Sequence, residues 1–304
     1  MPGTTDLTEL YSAIEESAQL LGIACSRDKV WPILTAYREV LDAQAVIAFR
    51  VATGASHAGE LDFRFTVPKN IDPYAVALSN GLAAKTDHPV GAVLTDILRR
   101  CPVDSYGIDF GVVGGFKKIG PFFPTDDLQE LSRLADIPSM PRSLSENIGF
   151  FTRHGLDDKV SLIGLDYRHA TVNIYFGELS DSCREPETVR SMLREIGLSD
   201  PSETVLTLGQ QAFGIYATLS WDSSKIERIS FAVMTADPTA LSVRLEPEIE
   251  QFVNSAPCAV ANRRFVYAVS LAPGGEYYKL QSYYQWRPEM GDLMLLSDAA
   301  KDLV

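Results

Sequence analysis

The sequence predicts an α+β fold in which about ten antiparallel strands close into a barrel around a solvent-filled lumen, with helices outside. Three observations predict it. Helical and hairpin patterns take turns along the 304 residues, giving five strand pairs separated by helices. Each strand pattern alternates with period 2 and keeps one face apolar. The opposite face carries phenols, arginines and lysines instead of the mixed Glu, Lys and Ser of a solvated sheet. Alternation alone marks any half-solvated antiparallel sheet. The composition of the polar face, with helices available to cover the apolar one, points to a ligand chamber.

Taken in order, residues 6–21 place Leu7, Leu10, Tyr11, Ile14, Ala18 and Leu21 at helical spacing and stop at Gly22. A second helix is expected over 27–41, on a stripe of Ile33, Ala36, Tyr37 and Val40. Strands follow at 45–52 and 60–67, helices near 73–80 and 90–100, then strands near 105–112 and 115–123. Thr125 reads as the N-cap of a helix over 126–134, whose first turn holds acids where the macrodipole favours them. A helix over 143–152 leads to strands 159–167 and 171–176, and a helix over 187–195 to strands 212–220 and 225–235. A helix over 246–254 precedes the last strands, 264–271 and 276–284, and a short helix near 293–301. No Pro/Gly/Ser-rich linker divides the chain, so one domain spanning 1–304 is expected.

The strand faces carry the functional signal. In 276–284, Tyr277, Lys279, Gln281 and Tyr283 share one face, poor material for a dry core. Asp62, Arg64 and Thr66 oppose Phe63, Phe65 and Val67; Thr171, Asn173 and Tyr175 oppose Val172, Ile174 and Phe176. Arg228, Ser230, Ala232 and Met234 oppose Ile229, Phe231 and Val233, while Gly214, Tyr216 and Thr218 oppose Phe213 and Ile215. Lys117 alternates with Lys118 and is expected to point away from it. The sheet is expected to close on something polar and anionic.

Composition excludes other classes. With 27 Lys+Arg against 40 Asp+Glu, a net charge of -13 argues against nucleic-acid or anionic-membrane binding. A cationic cluster inside so acidic a chain is correspondingly more telling. No apolar run approaches the ~20 residues of a membrane span, and the first residues show neither basic nor apolar signal-peptide regions. Cys25, Cys101, Cys183 and Cys258 are scattered, without a CxxC pair, and the four histidines are dispersed. Reduced thiols, a cytoplasmic location and no zinc site are expected. Asp126-Asp127-Leu128-Gln129-Glu130 looks like an acidic metal motif but reads as helix first-turn acids with no second motif facing it. Gly111-Val112-Val113-Gly114-Gly115 lacks the GK[ST] ending of a phosphate loop.

Eight segments together carry a resemblance that runs nearly end to end: Leu61-Asp62-Phe63, Gly114-Gly115-Phe116-Lys117-Lys118, Phe122-Phe123-Pro124-Thr125-Asp126, Ile137-Pro138-Ser139-Met140-Pro141, Asp166-Tyr167, Val172-Asn173-Ile174-Tyr175-Phe176, Phe231-Ala232-Val233 and Glu276-Tyr277-Tyr278-Lys279-Leu280. The chain resembles the soluble aromatic prenyltransferases of the ABBA type, whose barrel is built of αββα repeats (the PT barrel). The resemblance implies Friedel–Crafts alkylation: an allylic diphosphate ionises and an electron-rich aromatic ring captures the carbocation. That chemistry requires preorganised donors around the diphosphate. It also requires aromatic faces that shelter the cation from water.

By position, the resemblance assigns Lys118, Asn173, Tyr216, Arg228 and Lys279 to the diphosphate, with Thr171 and Arg168 beside them. Lys118, Arg228, Lys279 and Tyr216 form its catalytic set. Tyr175, Phe213, Tyr216 and Tyr283 would wall the isoprenoid and acceptor; Ser161, Gly120, Ala232, Gln281 and Trp286 would shape the acceptor pocket. Arg50 and Arg64 stand where magnesium-using members carry small hydroxyl side chains, and guanidinium groups can take over the neutralising role of a metal. Asp62 is retained and is expected to orient Arg64, so neither Mg²⁺ nor another cofactor is expected. Gln281 replaces a glutamate of some relatives, which leaves the base that removes the ring proton unassigned.

The expected function is transfer of dimethylallyl from its diphosphate to a polycyclic aromatic secondary metabolite, such as a phenazine carboxylate or hydroxynaphthoquinone. Arg64 fills lumen space and favours a five-carbon chain over geranyl. Geranyl transfer to a naphthalene is the second reading. A non-catalytic carrier of an aromatic ligand is the third, which the lumen cations disfavour because a neutral ligand leaves them uncompensated. Two small-molecule substrates, no nucleic acid, no membrane and a monomer complete the expectation.

Overall fold

The structure is a computed structural model and describes residues 6–41, 44–54 and 57–287. Two helices, α1 (Leu7–Leu20) and α2 (Arg27–Ala36), precede the hairpin β1 (Ile47–Ala52) and β2 (Asp62–Pro68). Then come α3 (Pro73–Ser79), α4 (Val90–Arg100), β3 (Ser105–Gly111) and β4 (Gly115–Phe122). Short helices α5 (Leu131–Ala135), α6 (Arg142–Glu146) and α7 (Ile148–Arg153) lead to β5 (Val160–Asp166) and β6 (Thr171–Phe176). Helices α8 (Asp181–Arg184), α9 (Pro186–Glu195) and α10 (Glu203–Gln210) precede β7 (Gly214–Ser220) and β8 (Arg228–Thr235). Finally α11 (Pro247–Ser255) precedes β9 (Phe265–Ala272) and β10 (Gly275–Gln285).

Each strand pairs antiparallel with the next, and β1 pairs with β10, closing the ten strands into a barrel. The alternating pattern explains the layering. Outward residues such as Phe63, Phe65 and Phe110 are buried beneath the helical layer, where Tyr37 meets Phe65 edge-on at 5.1 Å between ring centroids. On another side Phe151 of α7 covers Phe176 of β6 at 5.1 Å. The main core therefore lies between barrel wall and helices, and the lumen is left for polar side chains.

Three local expectations fail, each for a physical reason. No helix runs over 126–134: Thr125, Asp126 and Asp127 are exposed in a turn, and Gln129 exchanges backbone bonds with Val160 at 2.9 and 3.2 Å. A sheet partner outcompetes the helix there, and α5 starts only at Leu131. The helix expected over 143–152 breaks at Asn147, whose Nδ2 donates to the carbonyls of Ser143 (2.7 Å) and Ser224 (2.8 Å). Helix α2 stops at Ala36, short of residue 41. Helices α8 and α10 were not anticipated, and the helix expected near 293–301 lies outside the described residues. Among the described residues, no helix is long and apolar enough to cross a membrane.

Candidate active site

The lumen is a cavity of about 350 Å³ lined by every second residue of most strands. Register orders these residues along the barrel axis. On β2 the inward residues are Asp62, Arg64 and Thr66; opposite them Arg50 pairs with Asp62 and Ala48 with Arg64. On β10, Lys279, Gln281 and Tyr283 line the cavity, with Gln281 beside Arg50 and Tyr283 beside Ala48. On β6 the order is Thr171, Asn173, Tyr175, matched on β7 by Thr218 beside Asn173 and Tyr216 beside Tyr175. One end is thus charged. At the waist Tyr175 and Tyr216 stack at 4.7 Å. The far end is the apolar cluster Val46, Ala48, Phe122, Leu162, Met234 and Tyr283.

Most cations at the charged end are held by carboxylates. Arg50 Nη2 donates to Asp62 Oδ2 at 2.7 Å and lies 2.9 Å from Asp109 Oδ2; Lys118 Nζ is 3.0 Å from Asp166 Oδ2. Lys117 Nζ reaches Asp62 Oδ1 at 2.6 Å and Glu60 at 3.5 Å. Lys117 therefore belongs to the cluster, contrary to its expected outward direction. The register shows why: Lys118 pairs with Asp109 and Phe116 with Phe110, so Lys117 is the extra residue of a β-bulge. The bulge turns two consecutive lysines toward the same end.

Two cations differ. Arg228 donates to the Tyr277 hydroxyl at 2.8 Å and to Asn173 Oδ1 at 3.2 Å, and its buried Nε has no partner. Lys279 contacts no carboxylate among the described residues; its ammonium lies 5.0 and 5.4 Å from the ring centroids of Tyr277 and Tyr216. Burial, reinforced by Arg228, Lys118 and Arg50, holds the Lys279 pKa well below the ordinary lysine value. Burial also lowers Lys118, against the pull of Asp166. Buried charges without counterions are costly, and both of these cations face the cavity. Such a pair of cations, facing one cavity, is chemically suited to an anion.

Burial and neighbouring charges act on Asp62 and on two of the phenols. Burial raises the Asp62 pKa, but Arg50 and Lys117 overcome it and hold the group below the usual range. Burial pushes Tyr175 and Tyr283 up to about 12. At the waist Tyr175 therefore presents a neutral ring.

Of the expected site residues, Arg50, Asp62, Arg64, Lys118, Ser161, Thr171, Asn173, Tyr175, Phe213, Tyr216, Arg228, Ala232, Lys279, Gln281 and Tyr283 all line the cavity. Phe213 does so against the alternation, because it precedes the first residue of β7 and escapes the strand's pattern. Three do not line it. Arg168 sits in the β5–β6 turn, 3.6 Å from Glu60, with its side chain 43% exposed. Gly120 is covered by Leu162, whose Cδ1 would lie 2.9 Å from an added Cβ. Trp286 packs edge-on behind Tyr283 at 4.6 Å. Asp62 orients Arg50 and Lys117, whereas Arg64 is held by Asp109 (Nε to Oδ1, 3.2 Å) and Gln281 (Nη1 to Oε1, 2.8 Å). Asp109 escaped notice, although Ser105, Gly107 and Asp109 alternate with Tyr106, Ile108 and Phe110 as plainly as on any other strand. Glu60 and His57, on the β1–β2 loop, carry no periodic signal.

A metal at Asp62 would have to displace a cation, since both of its oxygens are engaged. Among the described residues, no group of three or more His, Cys, Asp or Glu is placed to hold a metal ion.

A model of the family described as aromatic prenyltransferase Orf2 matches residues 5–291 of the chain. The chain is 55% identical over 300 residues to 5,10-dihydrophenazine-1-carboxylate 9-dimethylallyltransferase of Streptomyces anulatus, covering 98% of this chain and 100% of that protein. It is 55% identical to flaviolin linalyltransferase of Streptomyces virginiae, over 95% of this chain and 96% of that protein. It is 53% identical to the furaquinocin biosynthesis prenyltransferase of Streptomyces sp. (strain KO-3988), over 94% of both.

Proposed function

The chain belongs to the aromatic prenyltransferase Orf2 family, and from that premise we propose that it transfers a dimethylallyl group from dimethylallyl diphosphate to a phenazine- or naphthoquinone-type ring, without Mg²⁺. One observation carries the reading. The lumen runs from Arg228 and Lys279, two cations without carboxylate partners among the described residues, through an aromatic waist to an apolar end. Diphosphate fits the first, the allylic cation the second and a flat aromatic acceptor the third. Lys118, Asn173, Tyr216, Thr171 and Arg50 surround the anion's place. As the C1–O bond breaks, its electron pair leaves with the diphosphate, whose charge these preorganised donors stabilise. The carbocation meets the faces of Tyr175 and Tyr216. Ring attack then forms a C–C bond, and the arenium proton leaves to water or pyrophosphate.

Independence from magnesium is supported by Asp62, whose oxygens hold Arg50 and Lys117. A five-carbon donor is supported by Arg64, whose guanidinium takes up part of the lumen. The relatives' names include both dimethylallyl and linalyl transfer, so geranyl diphosphate is the necessary comparison. Incubation with either donor, a pooled set of phenazine and naphthoquinone acceptors and EDTA should give dimethylallyl adducts by mass from the five-carbon donor, with pyrophosphate released in step. Activity that vanishes on chelation and returns with Mg²⁺, or that appears with the geranyl donor alone, overturns the corresponding part. A carrier would bind acceptor and release no pyrophosphate.

A further inference from the structure

We propose that His57, on the loop joining β1 to β2, binds the diphosphate through Nε2 and takes up a proton from solvent as it does so. The anion is then held by an imidazolium that the free protein does not carry. This rests on the prenyl-transfer reading above for the identity of the anion. His57 lines the cavity, and 23% of its side chain is exposed. Its Nδ1 lies 3.2 Å from Glu60 Oε2. Burial raises the Glu60 pKa, but His57 and Lys117 outweigh it and hold the group below the usual carboxylate range. An ionised carboxylate only accepts, so Nδ1 carries the hydrogen and the lone pair of the neutral ring sits on Nε2. Nε2 has no hydrogen-bond partner among the described residues.

One tyrosine ties this ring to the two cations without carboxylate partners. The imidazole packs on the ring of Tyr277 at 4.8 Å between centroids. The Tyr277 hydroxyl accepts from Arg228 Nη1 at 2.8 Å, and Lys279 Nζ lies 5.0 Å from the Tyr277 ring centre. The charges facing His57 are therefore Lys279 of β10, Arg228 of β8 and Glu60 of its own loop, which also meets Lys117 at 3.5 Å and Arg168 at 3.6 Å. Burial lowers the His57 pKa; Glu60 opposes this, while Lys279 and Arg228 reinforce it. An anion seated on those two cations reverses the field at the ring, and a position that repels a proton in the free protein attracts one in the complex. Imidazolium donates from both nitrogens, so Glu60 keeps Nδ1 and the diphosphate gains Nε2.

The chain has four histidines, so NMR of ring-labelled histidine can follow each one, and the signal missing from His57→Gln identifies His57. Inorganic pyrophosphate should move its titration to higher pH and place a proton on Nε2 while Nδ1 keeps its own. In binding titrations, His57→Gln should weaken pyrophosphate roughly tenfold or more at pH ~6 and scarcely at pH ~9, as loss of a charged hydrogen bond implies. A ring that only braces the loop through Glu60 would titrate alike with and without pyrophosphate. That result overturns the proposal and leaves prenyl transfer standing. So does a moved titration with unchanged affinity in His57→Gln, which would put the ring near the anion but out of contact. Failure of the intact protein to bind pyrophosphate at all would sink both.

Discussion

Replacing Lys279 with methionine removes a buried ammonium while keeping most of its apolar stem. Because the ammonium contacts no carboxylate among the described residues, its removal should raise the Tm of the free protein and abolish pyrophosphate protection at the same time. The pH sign follows from the lowered pKa. Between the folded value and the ordinary lysine value, the unfolded chain binds more protons, so stability rises with pH. The penalty is present in full below the folded value and fades as pH climbs through the window. Lys118 titrates in the same direction and leaves a residual slope. Thermal unfolding across pH, with and without pyrophosphate, checks both points; a lower Tm in Lys279→Met at neutral pH would contradict the absence of an internal counterion. At this scale the inward rows of β2, β6, β8 and β10 were legible, because period 2 needs no tertiary information. Partner choice was not legible, since which carboxylate meets which guanidinium depends on register across strands.

At the scale of elements, β4 shows where alternation misleads. A regular strand would send Lys117 outward and leave Asp62 with Arg50 alone. With the bulge, Lys117→Met strips a buried carboxylate of one of its two cations and should destabilise by about 1–3 kcal/mol. An outward lysine would cost under roughly 0.5 kcal/mol. Denaturant unfolding of the variant distinguishes the two, and a change in the lower range would count against the bulge. The segment 126–134 fails for a related reason. Acids after a threonine look like a capped helix, yet Gln129 finds a strand edge at Val160 that no local pattern announces. Asn147 likewise breaks a helix by reaching a carbonyl 77 residues away.

For the molecule as a whole, closure of all ten strands leaves no edge of this sheet exposed for pairing with another chain. Association by strand addition to this sheet is therefore closed off, and a monomer is the outcome predicted. Light scattering should give the 33.4 kDa of one chain at micromolar concentration; a stable dimer mass would refute it. The barrel was legible because helices recur between amphipathic hairpins. Its axial order from charge to hydrocarbon was not assembled beforehand, since it emerges only when neighbouring strands are set in register.

The seam where β1 meets β10 joins segments more than two hundred residues apart in the chain. Among the described strands β10 is the last in chain order, so the barrel can close only once the segment carrying Lys279, Gln281 and Tyr283 is in place. Closing the barrel and bringing Lys279 into the lumen are therefore one structural event. Inorganic pyrophosphate added during refolding should reward only molecules that have finished, leaving earlier stages indifferent to it.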